Sequence, residues 1–216
     1  MKKIINLAEW NRREHVEFFS QCSEPFHSVV VHLDCSAAYQ HCKTYKKSFF
    51  LLYLHQILLA INATESMRYR IENGEVVDFD VIHANATIGR ADHTFGFCPI
   101  NFERDIEIFV SEAEPRMQAV RNSNGLCFND ECKRLDVIHF SAIPWMSFSS
   151  ITHARRFDVN DSIPKISVGK IFQQADKWMM PVATFVHHGL ADAYHIHQFL
   201  DHLQRGLQSF TFIQSD

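Results

Sequence analysis

Glycine is scarce in this 216-residue chain, with 7 residues where the average usage of roughly 7% would give about 15. None of the seven falls in G-x-G-x-x-G spacing or in a loop ending G-K-[ST], which argues against a Gly-rich phosphate-binding turn. A G-x-S-x-G nucleophile elbow is also absent. Positive charge is not in excess: 21 Lys and Arg stand against 25 Asp and Glu, and no basic block dominates. Nucleic-acid binding is therefore not expected, because neutralised phosphates supply most of that affinity. No apolar run is long enough for a membrane span; the longest, Phe49–Ala63, is interrupted by His55 and Gln56. No targeting segment follows the opening Met1-Lys2-Lys3, since charges return at Glu9, Arg12, Arg13 and Glu14. The expected compartment is the cytoplasm, with no membrane partner. The six cysteines form no C-x-x-C pair and are expected to be reduced and to serve as small buried residues. With no repeat and no Pro/Gly/Ser-rich linker, residues 1–216 are read as a single domain.

What is abundant is apolar and aromatic: 46% of residues are hydrophobic, 19 are Phe and 14 are His. The patterning predicts helices over 8–20, 36–45, 48–62, 101–122 (with Pro115 as a break or kink) and 192–208. Strands are expected at 28–34, 81–88, 93–98, 136–142, 147–152, 164–173 and 180–187, with a hairpin over 68–79 turning at Asn73-Gly74. Helices and strands interleave irregularly. The expected fold class is α/β (α+β), a two-layer sandwich with a mixed β-sheet covered by helices.

One segment concentrates chemistry: Val186-His187-His188-Gly189-Leu190-Ala191-Asp192-Ala193. Two histidines end an apolar strand, and Asp192 opens a helix. A neutral imidazole at such a strand end can accept a proton near neutral pH. The same octet is compatible with a structural His pair and a simple Asp192 N-cap. It is also compatible with metal binding, since His188, Asp192 and His195 fall at i, i+4 and i+7 with His197 and His202 nearby.

The octet resembles the HHxxxDG signature of the chloramphenicol acetyltransferase family, whose relatives include the lipoyl-linked acyltransferases. Further segments are similar to that family in order. They are Trp10-Asn11-Arg12-Arg13-Glu14-His15-Val16-Glu17-Phe18, then Arg68-Tyr69-Arg70-Ile71 with Gly74-Glu75-Val76-Val77. Thr94-Phe95, Ser141-Ala142-Ile143-Pro144-Trp145-Met146-Ser147-Phe148 and Ile166-Ser167-Val168-Gly169-Lys170 follow. The resemblance covers nearly the whole chain.

That resemblance implies an acetyl-CoA-dependent O-acetyltransferase acting on the hydroxyl of chloramphenicol, by direct transfer in a ternary complex, with no metal. His188 is the implied general base, and Ser141 the donor to the tetrahedral oxyanion. Asp192 is implied to pair with Arg12 through a bidentate guanidinium. Ser167 stands where the family keeps a Thr, Trp145 on the CoA side, and Phe18 and Phe95 among the acceptor-pocket aromatics. A cytoplasmic homotrimer with sites at subunit interfaces and an antibiotic-resistance role are implied as well. Two departures stand out: Ala193 replaces the last Gly of the signature, and His153, with Arg155 and Arg156 after it, replaces an apolar pocket residue. They leave open the same chemistry on another small hydroxyl acceptor, or a catalytically weak binding protein.

Overall fold

The computed structural model describes residues 1–155 and 161–210, so Arg156 lies outside the described residues. In chain order the elements are β1 (Lys2–Ile4), α1 (Arg13–Phe19), β2 (Phe26–Asp34), α2 (Ser36–Tyr45) and α3 (Phe49–Ala63). The hairpin strands β3 (Tyr69–Glu72) and β4 (Glu75–Phe79) come next, then β5 (His83–Gly89), β6 (Phe95–Ile100) and α4 (Ile106–Arg121). The chain continues through β7 (Val137–Ile143), β8 (Lys165–Gly169), β9 (Phe172–Gln174), β10 (Lys177–His187) and α5 (Ala193–Gln208).

The main sheet runs β2-β10-β8-β7-β5-β6, with β9 added along β10. The pairs β5·β7 and β7·β8 are parallel and the others antiparallel, so the sheet is mixed. A second sheet, β1-β4-β3, is built on the Asn73-Gly74 turn. Both turn residues take positive φ, 53° and 85°, the requirement of the tight hairpin that Asn-Gly signals.

The strands of the main sheet alternate strictly. Ala84, Ala86 and Ile88, Ile138 and Phe140, Ile166 and Val168, and Val182 and Val186 all enter one core shared with α2–α5. Helix α3 is buried almost all round, and α5 contributes Ile196, Phe199, Leu200, Leu203 and Leu207. The residues between those core positions look the other way. Asn85 and Thr87, His139 and Ser141, and Lys165 and Ser167 therefore share the face that the helices do not cover.

Several sequence expectations are corrected. Residues 147–152 form no strand. Helix α4 starts only at Ile106, capped by Asp105, whose side chain accepts from the Glu107 and Ile108 N–H groups. Pro115 does not end α4 and lies on its exposed side. The short edge strand β1 and the division of 164–173 into β8 and β9 were not anticipated from sequence. Among the described residues no helix is long and apolar enough to cross a membrane.

Candidate active site

The residues singled out in sequence form two groups. The first surrounds the turn between β10 and α5. Arg12 precedes α1 and is buried to 8% exposure. Its Nη1 donates to Asp192 Oδ2 at 2.8 Å, its Nη2 to the His188 carbonyl at 2.9 Å and its Nε to the Gly189 carbonyl at 3.1 Å. The expected pair is thus present but not bidentate: one donor meets the carboxylate and two hold the backbone of the turn. Asp192 Oδ1 also accepts from the Tyr194 N–H, and His195 closes the capping box at the start of α5. His195 is therefore engaged in capping. Among the described residues no cluster of three His, Cys, Asp or Glu groups is arranged for a metal ion. Although partial burial opposes its charge, hydrogen bonds from Arg12 and His195 hold the Asp192 carboxyl well below the usual carboxylate range.

Gly189 permits the close approach of α1, since a Cβ there would lie 2.9 Å from the Val16 Cα. Arg12→Ala would orphan two carbonyls and one carboxylate in this small space. Urea unfolding should show a loss of about 3 kcal/mol, together with lower turnover as the turn loosens.

What that turn presents is His188. Its ring lies between Phe19, with centroids 4.2 Å apart and planes at 22°, and His27, at 4.7 Å and 27°. Its backbone N–H donates to the Pro25 carbonyl at 2.8 Å. Its Nδ1 is enclosed without a hydrogen-bond partner, whereas Nε2 is not enclosed in this way. His27 on β2 has its pKa lowered, first by burial and then by His188. Phe18 is 66% exposed and meets Phe19 edge-on rather than His188. Sequence reading named Phe18; Phe19 and His27, which clamp the imidazole, were missed, because ring contacts between α1, β2 and a later turn leave no local signal.

The second group lies on the uncovered face of the sheet around a cavity of about 480 Å³. Ser141 lines it, and Thr87 on the neighbouring strand donates its hydroxyl to Ser141 Oγ at 3.2 Å. The Ser141 proton is thereby left available to another acceptor. Phe95 and His153 also line this cavity. His153 is turned inward, with Nε2 3.2 Å from Ser167 Oγ and its ring edge-on to Phe185 at 4.6 Å. Ser167 is fully buried and reaches the cavity only through His153. Trp145 lies outside it, 73% exposed, in the turn after β7. Thr87, Asn85, His139 and Lys165 were missed as site residues. The available signal was polar pairs two residues apart inside otherwise apolar strands.

A single chain does not unite the two groups. Ser141 belongs to the uncovered face, whereas His188 lies in the turn just after β10 and stacks on His27, the strand partner of core-facing Val186. Strand β8 also separates β7 from β10. His188 accordingly does not line the Ser141 cavity.

A family model described as chloramphenicol acetyltransferase matches residues 2–204. The chain belongs to the chloramphenicol acetyltransferase family. It is 26% identical over 214 residues to a chloramphenicol acetyltransferase of Escherichia coli, covering 93% of this chain and 91% of that one. A Proteus mirabilis chloramphenicol acetyltransferase is 26% identical over 203 residues, with 94% and 93% covered. A solved chloramphenicol acetyltransferase superposes with a TM-score of 0.89 at 29% identity, covering 96% of this chain and all of that one. A probable dihydrolipoamide acetyltransferase of Listeria monocytogenes shares the fold, with a TM-score of 0.68 at 12% identity and 96% and 95% covered. The chain is thus an acyltransferase by family, with the fold expected of one. Its one departure inside the family signature is harmless to that fold: Ala193 is the first residue of α5 and needs no positive φ.

Proposed function

We propose that this chain transfers an acetyl group from acetyl-CoA to the hydroxyl of a small-molecule acceptor, chloramphenicol being the first to test, at a site completed by two copies of the chain. The observation that carries this reading is the turn held by Arg12, which clamps His188 and leaves its Nε2 as the usable ring nitrogen. His188 takes the acceptor's proton as its oxygen attacks the thioester carbonyl, and returns that proton to the departing CoA sulfur. Ser141, receiving a hydrogen bond from Thr87, gives its own proton to the oxygen that becomes negative. Transfer is direct, within a ternary complex, with no metal.

The separation of the two groups supports an interface site. His188 and Phe18 come from one copy, Ser141, Phe95, Ser167 and His153 from the next, and a cyclic homotrimer repeats that contact three times. Trp145 suits the CoA side: its neighbour Pro144 lines a cavity of about 250 Å³ with Phe49, Phe50, Tyr53 and Lys170, aromatic walls beside a cation. Such an enzyme acts in the cytoplasm, where acetyl-CoA is available, and acetylation of chloramphenicol would confer resistance.

The test is release of CoA thiol from acetyl-CoA with and without chloramphenicol. Acceptor-dependent release is expected, and Ser141→Ala should lower kcat about 100-fold with little change in KM. Release at the same rate without an acceptor would overturn acetyl transfer to a hydroxyl.

A further inference from the structure

His188 has no carboxylate of its own. Both oxygens of Asp192 are committed elsewhere: Oδ2 accepts from Arg12, and Oδ1 from the Tyr194 N–H and from His195. The Nδ1 of His188 is enclosed without a partner. When Nε2 acts as the base, Nδ1 already carries a proton. The ring then becomes a cation whose second N–H meets neither water nor an acceptor. An enclosed charge left in that state is costly.

What the ring does meet is two other ring faces. Phe19 lies at 4.2 Å with planes at 22°, and His27 at 4.7 Å with planes at 27°. A cation over an aromatic face is attracted to it, more strongly where water is excluded. Phe19 offers such a face at any pH. His27 offers one only while neutral, because its imidazolium would set a like charge against His188. Strand β2 holds it in place, paired with Val186 in the β2·β10 register. Its Nε2 is buried without a partner, so no acceptor retains a proton there. Burial first, and then His188, push the His27 pKa down, with Asp192 opposing them.

The other charges around this pair are spoken for. Asp192 is tied to Arg12 and His195. His187 meets Phe26 edge-on at 6.0 Å and is pushed down to about 4, chiefly by burial, so it is neutral near pH 7. Arg155 lies over the Phe26 ring and pairs with Glu24 and Asp161.

Resting on the acetyl-transfer reading above, we propose that His27 is a positioning residue for His188. The two stacked imidazoles carry at most one proton between them during turnover. The uncharged face of His27, opposite Phe19, fixes the plane of His188 and supports the charge that His188 takes up in the transition state. A ring is needed at position 27, and a titrating ring is not.

The experiment compares the full chain with His27→Phe and His27→Leu in turnover of acetyl-CoA and chloramphenicol at pH 7.5. Phe keeps the face and removes the titration, whereas Leu fills the space without a face. His27→Phe should stay within about 3-fold of the unsubstituted kcat, and His27→Leu should fall about 10-fold. KM for both substrates should move less than about 2-fold, because the support is given to the transition state alone. Equal kcat in the two variants, or a loss carried by KM, would overturn the proposal.

A second arm does not depend on turnover. Histidine ring signals are followed by NMR from pH 8 to pH 5 in the unsubstituted chain, His27→Phe and His188→Phe. Whichever ring of the pair takes its proton second should take it at least about 0.6 pH unit higher once its partner is Phe. That is the repulsion of two unit charges 4.7 Å apart even at the dielectric constant of water, about 0.9 kcal/mol. Unchanged titration would overturn the pair, and this arm decides the matter even where His27→Leu is too unstable to assay. Coupled titration in a chain that turns over no acceptor would remove the acetyl-transfer reading and leave the stacked, charge-excluding pair standing.

Discussion

His188→Ala should lower kcat about 1,000-fold, the usual worth of a positioned general base, while leaving the thermal unfolding profile nearly unchanged. The ring contributes stacking with Phe19 and His27 but no side-chain hydrogen bond, so the lost function is chemical rather than structural. The stronger form of the experiment mixes two inactive chains. His188→Ala and Ser141→Ala are co-expressed and the mixed assemblies purified. If each site draws His188 from one copy and Ser141 from the next, random assortment leaves about one site in four with both groups intact. Activity should return to about a quarter of the unsubstituted enzyme, far above either variant alone. If both groups acted from the same chain, every site would lack one of them and no recovery would follow. Because β8 lies between the strands of the two groups and His188 does not line the Ser141 cavity, recovery is the expected result.

The fold should lose stability steeply between pH 6.5 and pH 4. His187 is pushed down to about 4 by burial first, with the Arg155 charge adding to it, against 6.5 in the unfolded chain. His139 is pushed down to about 4 by burial and by Lys165. Across that window the unfolded chain binds protons that the folded chain refuses. Stability therefore rises with pH there: the contribution is fully present above about pH 6.5 and is lost as pH falls toward the folded values. Each group contributes about 1.4 kcal/mol per pH unit, so the two together amount to on the order of 5 kcal/mol, comparable with the whole stability of an ordinary domain. Burial likewise lowers His55, His83 and His153, which adds to the same slope. Urea midpoints measured at fixed protein concentration from pH 7.5 to pH 4.5 would show it. His187→Gln should flatten the curve by about one proton, and a flat wild-type profile would contradict the assignment of these residues as buried neutral imidazoles.

Much of this was legible along the chain because the signals were local. The Asn73-Gly74 turn fixed its hairpin through backbone conformation alone, and the apolar spacing of α3 and α5 follows directly from helical periodicity. Asp192 read as an N-cap, since capping involves residues only a few positions apart. Residues 147–152 were misread because a strand needs pairing to a distant segment as well as a suitable composition, and composition is all that the local sequence shows. Three residues of the Ser141 cavity were missed for a related reason. Asn85, His139 and Lys165 are far apart in sequence and become neighbours only through the parallel pairing of β5, β7 and β8.

The order of motifs therefore determined, without coordinates, the family resemblance and the general plan of helices on a mixed sheet, and through that resemblance it nominated His188 and Ser141 for test. Tertiary structure alone decided how Arg12 divides its donors between Asp192 and the turn carbonyls. It also showed that His153 faces inward onto Ser167 and that Ala193 costs nothing at the start of a helix. Above all it separated His188 from Ser141, because β8 pairs between β7 and β10 and the turn that carries His188 lies away from the Ser141 cavity, an order of strands that neither local sequence specifies.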